Sequence, residues 1–424
     1  MTDFNLPDLP RPAEAPLAIY VKPAAERALR ERHPWLFDGA IQRQSRDGAP
    51  GDVAVLFDRK RRFLAAGLYD PASPIRVKVL QHHTPAQIDR DWFAGRLAAA
   101  VDRRALLAES GQTNGYRLVN GESDGLPALV IDRYAGTLVM KLYAAIWLAH
   151  LRDLLAALVD SYGVPERLIL RLSRALQADA PSGITDGMAL IGDPPDAPVL
   201  FKENGLRFAA DVVHGHKTGF FFDQRDNRAR VGKLARKLAP GAAVLDLFAY
   251  SGGFSLYAAR RGAGRVISVD VSAQALEAAR ANFARNADIP EVAACQHEIL
   301  VADVFEAMTG FAGEGQRFGL VIVDPPAFAK QAKEIDAALR AYARLATLAV
   351  PLVQRGGALV LASCSSRVTA DAFFTTVTQA VSASGRRFEE LNRTGHALDH
   401  PIGFDDASFP EGEYLKALFL RALA

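Results

Sequence analysis

The sequence predicts an α/β protein: a Rossmann-like parallel sheet in the C-terminal part, preceded by a small β-barrel and a central α+β domain. Three stretches carry that reading. Val244–Phe248 is short and apolar, as a strand covered on both faces should be, and after it Phe254, Tyr257 and Ala258 recur at helical spacing. Between them Gly252 and Gly253 allow a sharp turn and a close approach to a ligand, although an ordinary strand-to-helix turn would use them equally well. Arg265-Val-Ile-Ser-Val-Asp270 is a second apolar strand, ending in a carboxylate about 18 residues beyond the glycines, near the spacing at which an acidic residue grips ribose hydroxyls. A dinucleotide or an adenosyl cofactor satisfies those two features alike. Leu320-Val-Ile-Val-Asp-Pro-Pro-Ala-Phe328 is the third stretch. Its Asp-Pro-Pro has little structural purpose at the end of a parallel strand, because proline donates nothing to a ladder and stiffens the loop.

Length and composition set the outer limits. With 424 residues, half of them hydrophobic, the chain has material for a large core and two or three domains. Lys plus Arg (50) nearly balance Asp plus Glu (48), so a nucleic-acid partner must be argued from local patches rather than from net charge. The cysteines, Cys295 and Cys364, are too few for a disulfide framework or a cysteine-based zinc site and suit a reducing cytosol. Residues 1–16 hold Asp3, Asp8, Glu14 and several prolines and read as a disordered leader. No stretch approaches the roughly 18 uninterrupted apolar residues of a membrane span, so a soluble, cytoplasmic protein with no membrane partner is expected.

In chain order, residues 17–85 read as the small β-rich domain. Its expected strands are Leu17–Val21, Val53–Asp58, Phe63–Tyr69 and Ile75–Leu80, with one helix at Ala24–Arg32. Basic residues crowd there: Arg27, Arg30 and Arg32 on the helix, Arg43 and Arg46 after it, and Arg59, Lys60, Arg61 and Arg62 in a hairpin. A solvated hairpin tip would explain the last four, but several basic clusters on one small domain favour phosphate contacts. Residues 86–203 read as the central domain, with a helix Trp92–Glu109, strands Tyr116–Val119, Ala128–Asp132 and Thr137–Tyr143, a helix Leu148–Tyr162 and a strand Arg167–Leu172; Gly183–Pro198 reads as its exposed end or a linker. Residues 204–424 hold the Rossmann-like sheet. His214 and His216 lack a third ligand at suitable spacing, so no metal site is expected. Asp223–Arg230 opens a basic helix, continuing through Lys233, Arg236 and Lys237, placed to deliver polar groups to the cofactor crevice.

Several motifs then combine. His33-Pro-Trp35, Gly121-Glu-Ser-Asp-Gly-Leu-Pro127, His214-Gly-His-Lys-Thr-Gly219 with Asp223-Gln-Arg-Asp226, Tyr250-Ser-Gly-Gly-Phe254, Asp324-Pro-Pro326, Ser363-Cys-Ser365, Asp399-His-Pro401 and Pro410-Glu-Gly-Glu-Tyr-Leu-Lys416 span nearly the whole chain. Together they resemble the bacterial PUA-domain-containing family of S-adenosylmethionine-dependent large-subunit (23S) rRNA 5-methylcytosine methyltransferases. The resemblance implies a PUA RNA-binding domain first, a central linker domain second and a class I methyltransferase sheet third. It also implies S-adenosylmethionine as cofactor and ribosomal RNA as partner; self-association as a homodimer is left open. Ala327 departs from the family pattern, where the position after Asp-Pro-Pro is often basic, and that leaves the RNA target open more than the chemistry.

The chemistry is also arguable from the residues. Pyrimidine C5 is a poor nucleophile until a thiolate adds at C6 and turns the ring into an enamine. Cys364, at the end of the apolar run Gly357–Ser363, sits where the next parallel strand would empty beside Asp324, and serines rather than leucines flank it. A buried structural cysteine is the competing explanation, and it is the one preferred for Cys295, which the pattern places in a plain apolar strand. The cofactor would be held by Asp246 and Gly252 at the methionine end, Asp270 at the ribose and Asp303 at the adenine amine, with Phe248, Tyr250, Ser251, Gln224 and Asp324 alongside; Asp303 also suits a helix N-cap. Pro325, Pro326, Phe328, Lys217, Arg225 and His400 are expected to meet the RNA, with Phe328 stacking on a flipped base and His400 or Asp324 accepting the C5 proton. Two other classes fit part of the pattern: a methyltransferase for an exocyclic nucleobase amine, which needs no Cys364, and a non-catalytic RNA-binding assembly factor, which needs no intact cofactor pocket.

Overall fold

The computed structural model describes residues 4–239, 241–403, 407 and 409–423. The chain divides into two compact units. One runs up to Gly205 and adds Ala210–Phe222 and Leu398–Gly412; the other comprises Leu206–Ala209, Asp223–Ala397 and Glu413–Ala424.

The first unit begins with β1 (Leu17–Val21), α1 (Pro23–Arg30), β2 (Trp35–Phe37), β3 (Ile41–Gln44), β4 (Val53–Phe57), β5 (Phe63–Tyr69) and β6 (Ile75–His82). These strands form a mixed sheet in the order β2-β6-β5-β4-β1-β3, in which β1 and β4 run parallel. Alternation puts Leu17, Ile19, Val21, Ala54 and Leu56 inside, with Leu36, Val77 and Val79 closing the core. Strands β2 and β3 were not foreseen, since three or four residues with weak alternation leave little periodic signal. Residues 4–16 also differ from the expected disordered leader, whose residues 1–3 lie outside the described residues. Phe4, Leu6 and Leu9 pack on the unit's core, Asn5 N–H donates to Leu190 O at 3.0 Å and Ala13 N–H donates to Asp52 at 2.9 Å, so this stretch has buried partners that composition cannot reveal.

The central part follows with α2 (Arg90–Arg103), α3 (Ala105–Glu109), β7 (Gly115–Asn120), β8 (Leu129–Tyr134), β9 (Thr137–Leu142), α4 (Leu151–Tyr162), β10 (Arg167–Leu172), α5 (Arg174–Ala178) and β11 (Ala189–Ile191). Its sheet runs β11-β10-β9-β8-β7, and Phe93, Leu97, Trp147, Leu154 and Leu158 cover the inner face formed by Leu118, Ile131, Met140 and Leu170. The single helix expected to reach Glu109 is broken at Arg104, whose buried guanidinium is held by both oxygens of Asp124, at 2.8 and 2.7 Å, and by the Arg117 and Asp399 carbonyls. The expected linker at Gly183–Pro198 contains β11, antiparallel to β10, with Leu190 fully buried. Leu68 and Leu80 of the first sheet join this second core, and His150 Nε2 lies 2.7 Å from Gly51 O, so the two sheets are parts of one packed body.

After β12 (Val199–Glu203) and β13 (Leu206–Ala210), the second unit contains α6 (Arg225–Ala235), β14 (Ala243–Leu247), α7 (Gly253–Ala259), β15 (Arg265–Asp270), α8 (Ala273–Arg285), α9 (Pro290–Ala293), β16 (Gln296–Val301) and α10 (Val304–Gly313). It continues with β17 (Phe318–Val323), α11 (Ile335–Ala349), β18 (Val353–Ser363), α12 (Ala370–Ala383), β19 (Phe388–Thr394) and β20 (Lys416–Ala422). Its sheet runs β16-β15-β14-β17-β18-β20-β19; β14 to β18 are parallel, and β20 is antiparallel to both its neighbours. Strand order reverses between β14 and β17, the place where open α/β sheets bind ligands at the strands' carboxyl ends. No helix among the described residues is long and apolar enough to cross a membrane.

Candidate functional site

The carboxyl ends of β14, β15, β17 and β18 carry Asp246, Asp270, Asp324 and Cys364 in the second unit. Asp246 is fully buried; its Oδ2 accepts from Ser255 N–H at 3.0 Å and from Ser255 Oγ at 2.6 Å, while Oδ1 has no hydrogen-bond partner among the described residues. Burial pushes this carboxyl up to about 7, only partly offset by the two Ser255 bonds. Ser255 Oγ also meets Ser268 Oγ at 2.7 Å, which meets His297 Nε2 at 2.9 Å. Beyond the strand the backbone is forced: Phe248 has φ 64°, Tyr250 φ 49° and Gly252 φ 73°. Two aromatic residues in the left-handed region within three positions mark stored strain at a built loop. The glycines serve packing as well as turning: a Cβ on Gly252 would lie 2.8 Å from Ala279 Cβ, and one on Gly253 would lie 2.9 Å from Arg228 Cδ. The close approach expected toward a ligand is therefore, in part, an approach to α8 and to the α6 arginine.

Asp270 orients the same loop. Its Oδ2 accepts from Tyr250 N–H at 3.0 Å and its Oδ1 from Ser272 N–H at 2.9 Å. Asp303 is exposed and caps α10, Oδ1 accepting from Phe305 and Glu306 N–H at 2.9 and 3.1 Å. On the other side of β14, a polar chain reaches Asp324: Thr394 Oγ1 donates to Asn227 Oδ1 (2.6 Å), Asn227 Nδ2 to Gln224 Oε1 (2.7 Å), and Gln224 Nε2 to Asp324 Oδ1 (2.9 Å). Gln224, at the start of α6, thus orients Asp324. The basic face of that helix is narrower than its composition suggests. Arg225 and Arg228 are buried, and Arg225 lies 3.3 Å from Asp226.

Cys364 is half-buried one residue beyond β18, its sulfur 3.7 Å from Pro325 O. A hydroxyl network fixes its surroundings. Ser363 Oγ donates to Tyr342 Oη at 2.8 Å, Tyr342 Oη lies 2.8 Å from Ser365 Oγ, and Ser365 Oγ accepts from Phe328 N–H at 3.1 Å. The Asp-Pro-Pro loop is thereby pinned to the end of β18, and the Phe328 ring packs on Tyr342 at 5.1 Å between centroids. Lys416, at the start of β20, is 2% exposed and donates to the Ser365 and Val368 carbonyls at 2.7 and 2.6 Å. Neither Lys416 nor Tyr342, Asn227 or Thr394 was expected at the site; a lysine opening the apolar run Lys416–Ala422 was the one visible signal.

Cys295 lies elsewhere. The expected strand through it is replaced by α9 and a turn, because Pro290 at a helix's first position and an Asn286 to Ile289 turn favour a helical start. Burial pushes its thiol up to about 11. The first unit holds the remaining expected residues. Lys217 (φ 55°) places its ammonium 4.4 Å over the Phe221 ring. His400 is buried, with Nδ1 3.1 Å from Asp399 Oδ1 and Nε2 without a partner among the described residues. Arg59, Lys60, Arg61 and Arg62 are exposed on the β4–β5 hairpin, but Asp58 takes Arg62 Nε at 2.8 Å and Arg30 Nη2 at 3.1 Å, so part of the basic cluster is neutralised internally. His214 and His216 are exposed, and no group of metal-ligating residues occurs among the described residues.

Two family descriptions match this chain: a PUA-like domain at residues 19–82 and an S-adenosylmethionine-dependent methyltransferase at residues 183–421. A Deinococcus radiodurans protein named ribosomal RNA large subunit methyltransferase is 48% identical over 413 residues, 96% of this chain and 97% of that one. A Shewanella amazonensis protein named ribosomal RNA large subunit methyltransferase I is 38% identical, covering 96% of this chain and 99% of its own. A Streptococcus mutans structure described as a SAM-dependent methyltransferase shares the fold with a TM-score of 0.79 at 20% identity, over 95% of this chain and 99% of that one. A further structure, of a methyltransferase complexed with SAH, aligns with a TM-score of 0.80 at 20% identity over the same shares.

Proposed function

The chain belongs to the S-adenosylmethionine-dependent methyltransferase family, and from that premise we propose that it methylates C5 of a cytosine in large-subunit ribosomal RNA through a covalent Cys364–C6 adduct. The names of the 48% and 38% identical relatives support rRNA as the substrate. The C5 assignment rests on one observation: a half-buried thiol at the end of β18, 3.7 Å from the carbonyl of the Asp-Pro-Pro loop.

The residues present fit the cofactor. The unpartnered Asp246 Oδ1 suits its ammonium group, and Asp270, already oriented by Tyr250 and Ser272, suits the ribose hydroxyls. S-adenosylmethionine, when bound, would supply an electrophilic methyl group and leave as S-adenosylhomocysteine. Cys364 adds as thiolate to C6, forming the S–C6 bond and shifting the ring electrons so that C5 becomes nucleophilic. Asp324, held by Gln224, hydrogen-bonds the cytosine edge. Once C5 carries the methyl group, its proton passes to a base, and Asp324 is the carboxylate one residue before the carbonyl that faces the sulfur. Loss of that proton drives the electrons back, breaks the S–C6 bond and regenerates the Cys364 thiolate. The PUA-like domain, with Arg59, Lys60 and Arg61 exposed, supplies phosphate contacts that position rather than read the RNA.

Mass analysis of nucleosides from rRNA treated with the protein tests the product: 5-methylcytidine is expected, and an N-methylated nucleoside would replace this reading with amine methylation. Cys364→Ser is expected to abolish turnover while leaving cofactor affinity nearly unchanged, because a hydroxyl cannot supply the anionic nucleophile at neutral pH. RNA carrying 5-fluorocytosine should trap a covalent adduct with the natural protein and with Cys295→Ser, and none with Cys364→Ser.

A further inference from the structure

We propose that Lys416 is a positioning residue for Cys364: it clamps the turn that follows β18 and holds the sulfur as a thiolate facing the Asp-Pro-Pro loop. The proposal rests on the reading of Cys364 as nucleophile. Sheet register pairs Lys416 with Ser363, while its amine donates to the carbonyls of Ser365 and Val368, so Cys364 is bracketed on both sides by bonds to one residue. An ammonium 2% exposed is costly to bury, and carbonyl bonds alone could come from a neutral donor such as glutamine. The charge has a purpose only if an anion forms beside it.

The other groups around the thiol do not supply that charge. Tyr342, from α11, is neutral, its hydroxyl committed to Ser363 and Ser365 and pushed above its ordinary value by burial. Asp324, before Pro325, and Glu413, ahead of β20, are carboxylates, and Arg367 on the same turn is exposed. Burial draws the Lys416 amine down to about 8, against which the Cys364 sulfur and Glu413 pull it up, so it is mostly ammonium at neutral pH. An opposite charge within about 4 to 6 Å lowers an acidic group by about 1 to 3 pH units, and a thiol and an amine that interact so strongly titrate as a coupled pair.

The test is the pH dependence of Cys364 alkylation by iodoacetamide in a Cys295→Ser background, which needs neither RNA nor cofactor. The natural residue at 416 should give an inflection at least about one unit below the ordinary thiol value near 8.5. Lys416→Gln, which keeps a donor for the turn, and Lys416→Met should both raise it by about one unit or more and slow alkylation at pH 7 about tenfold. Lys416→Arg should keep the inflection low. An unshifted inflection in folded Lys416→Gln, or a protein with Lys416 intact whose inflection is at or above 8.5, would overturn the proposal; the second measurement decides even where substitutions impair folding. A low inflection that depends on Lys416, together with no 5-methylcytidine product, would support the clamp and sink the C5 reading alone.

Discussion

Asp246 should make cofactor binding depend on pH in a way its neighbours cannot mimic. The folded carboxyl is raised from 3.8 to about 7 by complete burial. A raised group contributes stability that is full below the unfolded value and is lost as pH climbs through the folded one. At about 1.4 kcal/mol per unit, a shift of about three units corresponds to roughly 4 kcal/mol lost between about pH 4 and pH 7. Binding a cationic ligand at Oδ1 requires the ionised form, so binding at lower pH must expel a proton. With an apparent value of about 7, the ionised fraction is about one in 100 at pH 5 and one half at pH 7, so affinity should rise about 50-fold across that interval, ~2.3 kcal/mol. Above that the ligand's own amine, near the ordinary α-amino value of about 8, begins to lose its charge and the gain stops. Isothermal titration calorimetry of S-adenosylmethionine in buffers of different ionisation enthalpy reads both the affinity and the released proton. Asp246→Asn should bind weakly with a flat profile over the same range. A pH-independent affinity in the natural protein, or an equal slope in Asp246→Asn, would refute the assignment.

Asp270→Ala should weaken the cofactor at least tenfold, since it removes charge-assisted ribose bonds of roughly 1.5 to 3 kcal/mol each and frees the Tyr250 and Ser272 N–H groups it now orients; unchanged calorimetric affinity would remove it from the site. Truncating the first domain would strip Leu68 and Leu80 from the core they share with the central part, so point substitutions test RNA binding better. Replacing Arg59, Lys60 and Arg61 together by alanine should reduce the slope of log affinity against log salt by about 2, at about 0.7 to 0.9 per lost phosphate contact, whereas Arg62→Ala, its charge already engaged by Asp58, should change it less. An unaltered slope in the triple substitution would count against the hairpin as a phosphate contact.

Much of the second unit was legible because buried parallel strands read as uninterrupted apolar runs. A polar residue closing or interrupting such a run stands out, and Asp270, Asp324 and Cys364 at the ends and Asp246 within its strand are visible that way in the linear order of residues. The basic hairpin and the Asp303 cap were legible for the same local reason. Short or irregular elements were not. β2 and β3 carry too few alternations, and the turn through Cys295 shows an apolar composition that a strand and a helix share.

What the sequence by itself determined about this protein is the set of strand ends and the chemistry each can bear, since both follow from contiguous residues. Which distant groups complete each end was decided only by tertiary structure. Lys416 reaches Ser365, 51 positions away, because β20 runs antiparallel to β18 in one register, and a shift of one residue would turn it to the other face of the sheet. Trp35 donates to Glu122 and packs edge-on against Phe409, tying two motifs of no evident chemistry to a distant aromatic within the first unit. Asp58 reaches Arg30 only because α1 lies beside the hairpin. Such pairings depend on how strands and helices stack, and stacking is set by burial summed over a whole core, which no local window of sequence contains.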